Sequence, residues 1–410
     1  MIPDPLYEAA FQFRKTKLWQ RLYDTQIFAV RHADGTIGYC CVMGMMGEHL
    51  ALAVYPGEEG LASYRRMGID RSGCNEFETR EIALSQNCVM VSFETKDELR
   101  PKECQETRTY CTGHKIVLRG KNAWPRFQRF RPYYFPWYVD DETDQAHLLE
   151  GLEACLHVAS MLDDVPPEAL GLTDGAPFHR KIPLLTKSTG GFTWEWVALP
   201  KPAPIVYPSP EIHDDLALAR LARSAKRGGE WACDIFLHVE PMTNEETEAD
   251  EEPESAPFYA FLLIILDPKT GMILSLQKAD DPEDYTEIFT RAALACAQSQ
   301  GKPSRVLVCN ERTRAFFGKI SAQLRAELVY KKRIPCLEEA LDEFLAQFTC
   351  DEEGSDEDVE QLLEALRDPR ALADMPESIL IQLRQLIKIN EMPEDIAENV
   401  MRECKRRGLL

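Results

Sequence analysis

No stretch of the 410 residues is apolar for long enough to span a bilayer: the longest strongly apolar run covers residues 259–266, against about 20 needed for a membrane helix. The first 20 residues have no apolar signal-peptide core, so the sequence is read as that of a cytoplasmic protein that engages no membrane. Basic charge is also short. Forty-seven Lys and Arg against 68 Asp and Glu leave a net charge of −21, which argues against a nucleic-acid or anionic-membrane coat. The 13 cysteines include no C-x-x-C pair and have no regular spacing, which excludes a disulfide scaffold and favours reduced thiols. No G-x-S-x-G, Walker, H-E-x-x-H or Rossmann pattern occurs, so no cofactor is expected and the reading leans away from catalysis.

A hydrophobic fraction of 44% is that of a folded chain, and at about 150 residues per domain the length predicts two or three domains. The charge is unevenly placed. Residues 240–254 hold eight acidic and no basic side chains, and residues 351–410 hold 16 acidic against 8 basic. Five prolines fall between Pro200 and Pro210, favouring an extended connector. The expected organisation is an N-terminal domain, 1–199, the Pro-rich connector, 200–210, and a C-terminal domain, 211–350, interrupted by an acidic loop, 242–254. An acidic linker and helical tail, 351–410, follow.

In the first domain, apolar runs 27–30 and 37–43 flank His32-Ala33-Asp34-Gly35, and the Asp-Gly pair predicts a hairpin. A third strand is expected at 49–55. A helix should open at Gly57-Glu58-Glu59-Gly60, whose glutamates suit a first turn but would compete with phosphate for its amides. A strand at 87–93 and a helix at 144–161 complete an α+β domain with a mixed sheet. Cys40 and Cys41 are adjacent on a strand and should face opposite ways.

Residues 124–138 are the sharpest local signal, with eight aromatics among 15 residues and arginines between them. Trp124, Arg126, Arg129, Arg131, Tyr134 and Trp137 are the candidate binding residues. Rings interleaved with guanidinium groups suit stacking or a peptide groove, or else cover a core. Cys104, Cys111 and His114 form a C-x6-C-x2-H spacing, a weak metal-site alternative lacking the paired C-x2-C element.

The second domain reads as a strand at 231–239, a hairpin of 258–266 with 272–277, and then a helix capped by Asp281 with Pro282 in its first turn. A strand at 305–309, a helix at 312–324, a strand at 327–331 and a helix at 337–348 follow. This is an α/β domain of order β-β-β-α-β-α-β-α. In the tail, Ile379, Leu380, Leu383, Leu386 and Ile387 form one apolar stripe and a helix after Pro393 forms a second, so residues 377–407 are expected to dock on a protein partner.

That strand order, with an apolar strand ending at Asp267 and a later one reaching Cys309-Asn310-Glu311-Arg312, resembles a ribonuclease H or retroviral integrase core. The resemblance implies a two-metal nuclease with carboxylates on the first strand, a helix and the end of the fourth strand. Asp267 and Glu311 are the candidates. Asp234 replaces Asp267 if 231–239 is the first strand, and Asn310 stands where the family has a fourth-strand Asp. The stretches FAVRHADGTIGYCCVMGMMGEHLALAVYPGEEGL, YAFLLIILDPKTG and GKPSRVLVCNE also resemble an uncharacterised bacterial two-domain family whose modules are domains of unknown function. The favoured function is a non-catalytic interaction or regulatory protein, with a divergent metal-dependent nuclease as the alternative.

Overall fold

The computed structural model describes residues 1–47, 49–68, 74–211, 223, 228–244, 253–349 and 394–407. The sequence also predicts a short helix over 216–226, ending at Gly228-Gly229, and that segment lies outside these residues apart from Arg223, as do most of the acidic loop and the stripe at 379–387. The chain divides into two compact units, Met1–Leu337 and Glu338–Leu410.

Both sheets belong to the first unit. Helix α1 (Asp4–Thr16) precedes the hairpin β1 (Phe28–Arg31) and β2 (Ile37–Met43), then β3 (Ala51–Pro56), α2 (Gly57–Met67), α3 (Glu76–Ala83), β4 (Cys88–Glu94) and α4 (Pro101–Gly113). After β5 (Trp124–Phe130) and α5 (Glu142–Met161), the hairpin β6 (Lys181–Ser188) and β7 (Gly191–Ala198) closes a sheet of order β5-β4-β3-β2-β1-β6-β7. It is mixed because β1 pairs with β6 in parallel while its other pairs are antiparallel. Alternation along the strands sends Phe28, Val30, Cys40, Leu52 and Val91 to the face covered by α1 and α5. Ala29, Tyr39, Cys41, Ala53 and Met90 face the opposite way, toward Leu61 of α2, so Cys40 and Cys41 are separated as their adjacency requires. Helix α5 begins where Asp141 accepts the Thr143 and Asp144 amides at 2.8 and 3.1 Å, which satisfies two of its unpaired donors. It approaches the sheet closely because Gly151 has no Cβ, an atom that would stand 2.5 Å from Val54 Cγ2.

The second sheet comprises β8 (Glu230–Leu237), β9 (Phe261–Leu266), β10 (Ile273–Lys278), α6 (Tyr285–Gln300), β11 (Arg305–Val308), α7 (Glu311–Leu324) and β12 (Glu327–Tyr330), in strand order β10-β9-β8-β11-β12. The β-β-β-α-β-α-β order is as expected, and α8 (Pro335–Thr349) follows it in the chain, most of it in the second unit. Its first strand is β8, so Asp234 rather than Asp267 holds the first-strand position. Asp281 does not cap α6: its carboxylate accepts the Glu283 amide at 2.7 Å in a turn, and the helix starts after Asp284. Phe289, Ala293, Phe316, Phe317 and Ile320 of α6 and α7 bury one sheet face. The other face meets α3, where Phe77 packs edge-on to Phe236 with ring centroids 5.0 Å apart.

The second unit contains α9 (Glu394–Arg406), with Ile396 and Val400 buried and Glu403 bonded to Arg406 and Arg407. Among the described residues no helix is long and apolar enough to cross a membrane.

Candidate functional site

The junction of the parallel strands β8 and β11 fixes the start of α7. Asn310 caps that helix by accepting the Thr313 amide at 2.7 Å, and its amide group donates to Asp234. Thr313 Oγ1 donates to Asp234 Oδ1 at 3.0 Å. Between these two positions, Arg312 of the same first turn lines a cleft whose walls come from both domains.

Arg312 is only 4% exposed. Its Nη2 donates to Glu81 at 2.5 Å and to the Tyr133 hydroxyl at 2.8 Å, Nη1 donates to the Tyr285 hydroxyl at 2.8 Å, and Nε lies 3.4 Å from Glu81. The rings of Phe261 and Tyr207 lie 4.3 and 4.8 Å from the guanidinium carbon. Burial pulls its pKa down, but the Glu81 carboxylate and the two phenols overcome this and hold it above the ordinary value. One side chain therefore joins α3, the 131–135 loop, the connector, β9 and α6.

The cleft above Arg312 has a volume of about 760 Å³. One wall is α2, with Ala62, Arg65 and Arg66, another is the connector from Pro202 to Pro208, and Pro282 and Tyr285 close the far side. Arg65 is buried and donates to the carbonyls of Pro177 and Pro200 at 2.8 and 2.9 Å, while Lys319 donates to that of Pro210 at 3.2 Å. The connector is thus pinned near both ends and, in its middle, by Tyr207 over Arg312. Phe178, Ile205 and Val206 line the cleft and stay exposed, Val206 by 85%.

The candidates from 124–138 do not converge on one groove. Arg126 lies 3.4 Å from Glu103, and Arg129 bonds Asp144 at 3.0 Å. Arg131 covers the ring of Tyr134, Trp124 lies near Arg108, and Trp137 is covered by Arg100 at 4.2 Å. Tyr133 of the same segment does reach the cleft. The sequence does carry a signal for Arg312, since a cation in the first turn of a helix opposes the helix dipole and needs a partner.

The metal-site candidates are also apart. Cys104 donates to the Lys96 carbonyl at 3.5 Å, Cys111 is buried, and His114 stacks on Tyr110 at 4.1 Å. Asp267 accepts the Lys269 amide at 2.9 Å in its own turn, and Glu311 pairs with Arg314 at 3.0 Å. Asp234 is 3% exposed, and burial pushes its pKa up to about 6 despite hydrogen bonds from Thr313 and Asn310. Its side-chain partners are a hydroxyl, an amide and the Cys309 thiol at 3.7 Å. Two hard divalent cations require several anionic oxygens, so this donor set does not fit them. Among the described residues no three His, Cys, Asp or Glu side chains are grouped to hold a metal.

A second polar cluster ties the β1–β2 turn to α5. The rings of His32 and His147 stack with centroids 4.0 Å apart. His32 Nδ1 lies 2.7 Å from Glu150 and His147 Nε2 lies 2.9 Å from Asp34. Carboxylates only accept, so those two nitrogens carry the protons, leaving His32 Nε2 and His147 Nδ1 bare, buried and unpartnered. Burial, aided by the neighbouring His147, lowers the pKa of His32. The folded state then binds fewer protons there than the unfolded state, whose value is about 6.5. The stability this contributes is in place above that pH and is lost as pH falls through the lowered folded value. Urea midpoints at pH 7.5 and 5.5 should therefore rise more steeply with pH in the parent than in a His32→Gln variant. Equal slopes would refute it. The comparison with the variant matters because Asp234, with its raised pKa, acts in the opposite sense below about pH 6.

Neither a curated protein nor a solved structure matches the chain. Residues 4–180, which build most of the seven-stranded sheet, match the domain of unknown function DUF7309, and residues 217–345, which build the five-stranded sheet, match the domain of unknown function DUF6930. The chain is therefore a protein of two such domains, DUF7309 followed by DUF6930.

Proposed function

We propose that this protein is a non-catalytic interaction or regulatory protein that receives a ligand in the cleft floored by Arg312. The observation carrying this reading is the conjunction of a cleft of about 760 Å³ with exposed Phe178, Ile205 and Val206 at its walls and a floor where Arg312 is hydrogen-bonded to Glu81, Tyr133 and Tyr285. Clefts of about 300–1,000 Å³ with apolar walls and few convergent polar groups are where small ligands bind. The eleven described cysteines are all free thiols, which supports action in the cytoplasm. The tail, 377–407, is the part we assign to a protein partner. A nuclease reading draws on the strand order of the second sheet, and the neutral surroundings of Asp234 weigh against it.

Native mass spectrometry tests the cleft. The full chain is incubated with a small-molecule extract of its source cells, beside an Ala62→Trp variant that fills the space next to α2. A bound mass on the parent that is missing from the variant supports the reading. No bound mass, or the same mass on both, overturns it.

A further inference from the structure

The cleft separates its charges by depth. Arg312 and Arg65 are 4% and 8% exposed, and Arg66 is half-buried beside them, whereas the lining carboxylates, Glu59 and Glu283, stand exposed. Glu81 is already engaged by Arg312. Of the five N–H groups of Arg312, four point at Glu81, Tyr133 and Tyr285, which leaves one on Nη1. Arg65 spends its Nε and one Nη1 hydrogen on backbone carbonyls. Arg66 makes no side-chain hydrogen bond or ion pair among the described residues, although its charge acts on Tyr133 and Tyr207. Between these cations the surfaces are flat: the rings of Tyr207 and Phe178, with Pro132, Pro204 and Pro282.

A net acidic chain repels anions at long range, so a guanidinium left unpaired among the described residues within an apolar recess is a specific feature of this surface. Guanidinium groups bind carboxylate, sulfonate and phosphate oxygens through parallel N–H donors, and ring faces favour offset stacking with another ring. Building on the cleft as the ligand site, we infer that its occupant is a small aromatic anion, with the ring system against Tyr207 and the prolines and the anionic group on Arg66. The glutamates at the exposed edge disfavour a second negative group there, so the ligand carries its charge at one end.

Two probes separate the anion from the ring. Full-length protein is titrated with 1-anilinonaphthalene-8-sulfonate and with N-phenyl-1-naphthylamine, the same ring system without the sulfonate, and fluorescence is followed. Saturable one-to-one binding of the sulfonate, about tenfold or more tighter than the neutral probe, is expected. Arg66→Gln should remove that preference, and it disturbs no side-chain partner among the described residues. Ala62→Trp should block both probes. Val206→Asp gives an independent block at a position with no packing to lose. Equal affinity for the two probes, with both still blocked by Ala62→Trp, overturns the anion preference and leaves the cleft as an apolar site. Binding indifferent to both blocking variants, or no binding of either probe, overturns the cleft reading as well.

Discussion

Replacing Arg312 with methionine is expected to lower the unfolding free energy by about 3–5 kcal/mol, the usual consequence of removing one partner of a buried ion pair. Glu81, whose side chain is 22% exposed, would keep its charge without its counterion, and the hydroxyls of Tyr133 and Tyr285 would each lose an acceptor role. Replacing both ends, Arg312→Met with Glu81→Met, should recover part of the loss, because two apolar side chains of similar volume leave no uncompensated charge. Urea unfolding of the three proteins decides it. A loss below about 1 kcal/mol for Arg312→Met would mean that the pair behaves as a surface ion pair and that the sheets are held together by packing alone.

The Gly38→Ala substitution should cost about 1–3 kcal/mol, as overpacking of a filled core does. A methyl group there would lie 2.2 Å from His32 Nε2 and 2.9 Å from Val54 Cγ1. His32 has little room to retreat, since His147 stacks on its ring and Glu150 holds Nδ1. The substitution therefore strains the ring out of its carboxylate contact. Gly113→Ala is the control, because a Cβ there meets nothing within 4 Å. Equal unfolding midpoints for the two variants would show that the histidine pair is not tightly packed.

Local chemistry made much of the fold legible. Asp34-Gly35 marked the first hairpin, the apolar spacing of 144–161 marked α5, and the apolar runs of the second domain gave its strands in order. What was missed has physical reasons. The rings and prolines of 124–138 suggest a binding or core-covering stretch, yet residues 124–130 form β5, an edge strand, where Pro125 removes a donor that no neighbour needs. Helices α1, α3 and α4 carry few aliphatic residues, and their buried faces depend on aromatics such as Tyr7, Phe11, Phe77 and Tyr110, which blurs the helical period. The cleft could not be read at all. Its residues come from α2, the 131–135 loop, the connector and the start of α6 and α7, and nothing in their spacing along the chain reports that Arg312 gathers them.

The position of α3 bears on how these two domain families travel between proteins. Phe77 and Glu81 lie within the stretch that defines DUF7309, yet they cover the sheet and hold the arginine of DUF6930. One short helix of the first module therefore completes the packing of the second, and both sheets lie in the same compact unit. A protein carrying DUF6930 without DUF7309 needs some other element over the face where Asp234 and Phe236 lie, and a cation-accepting group in place of Glu81.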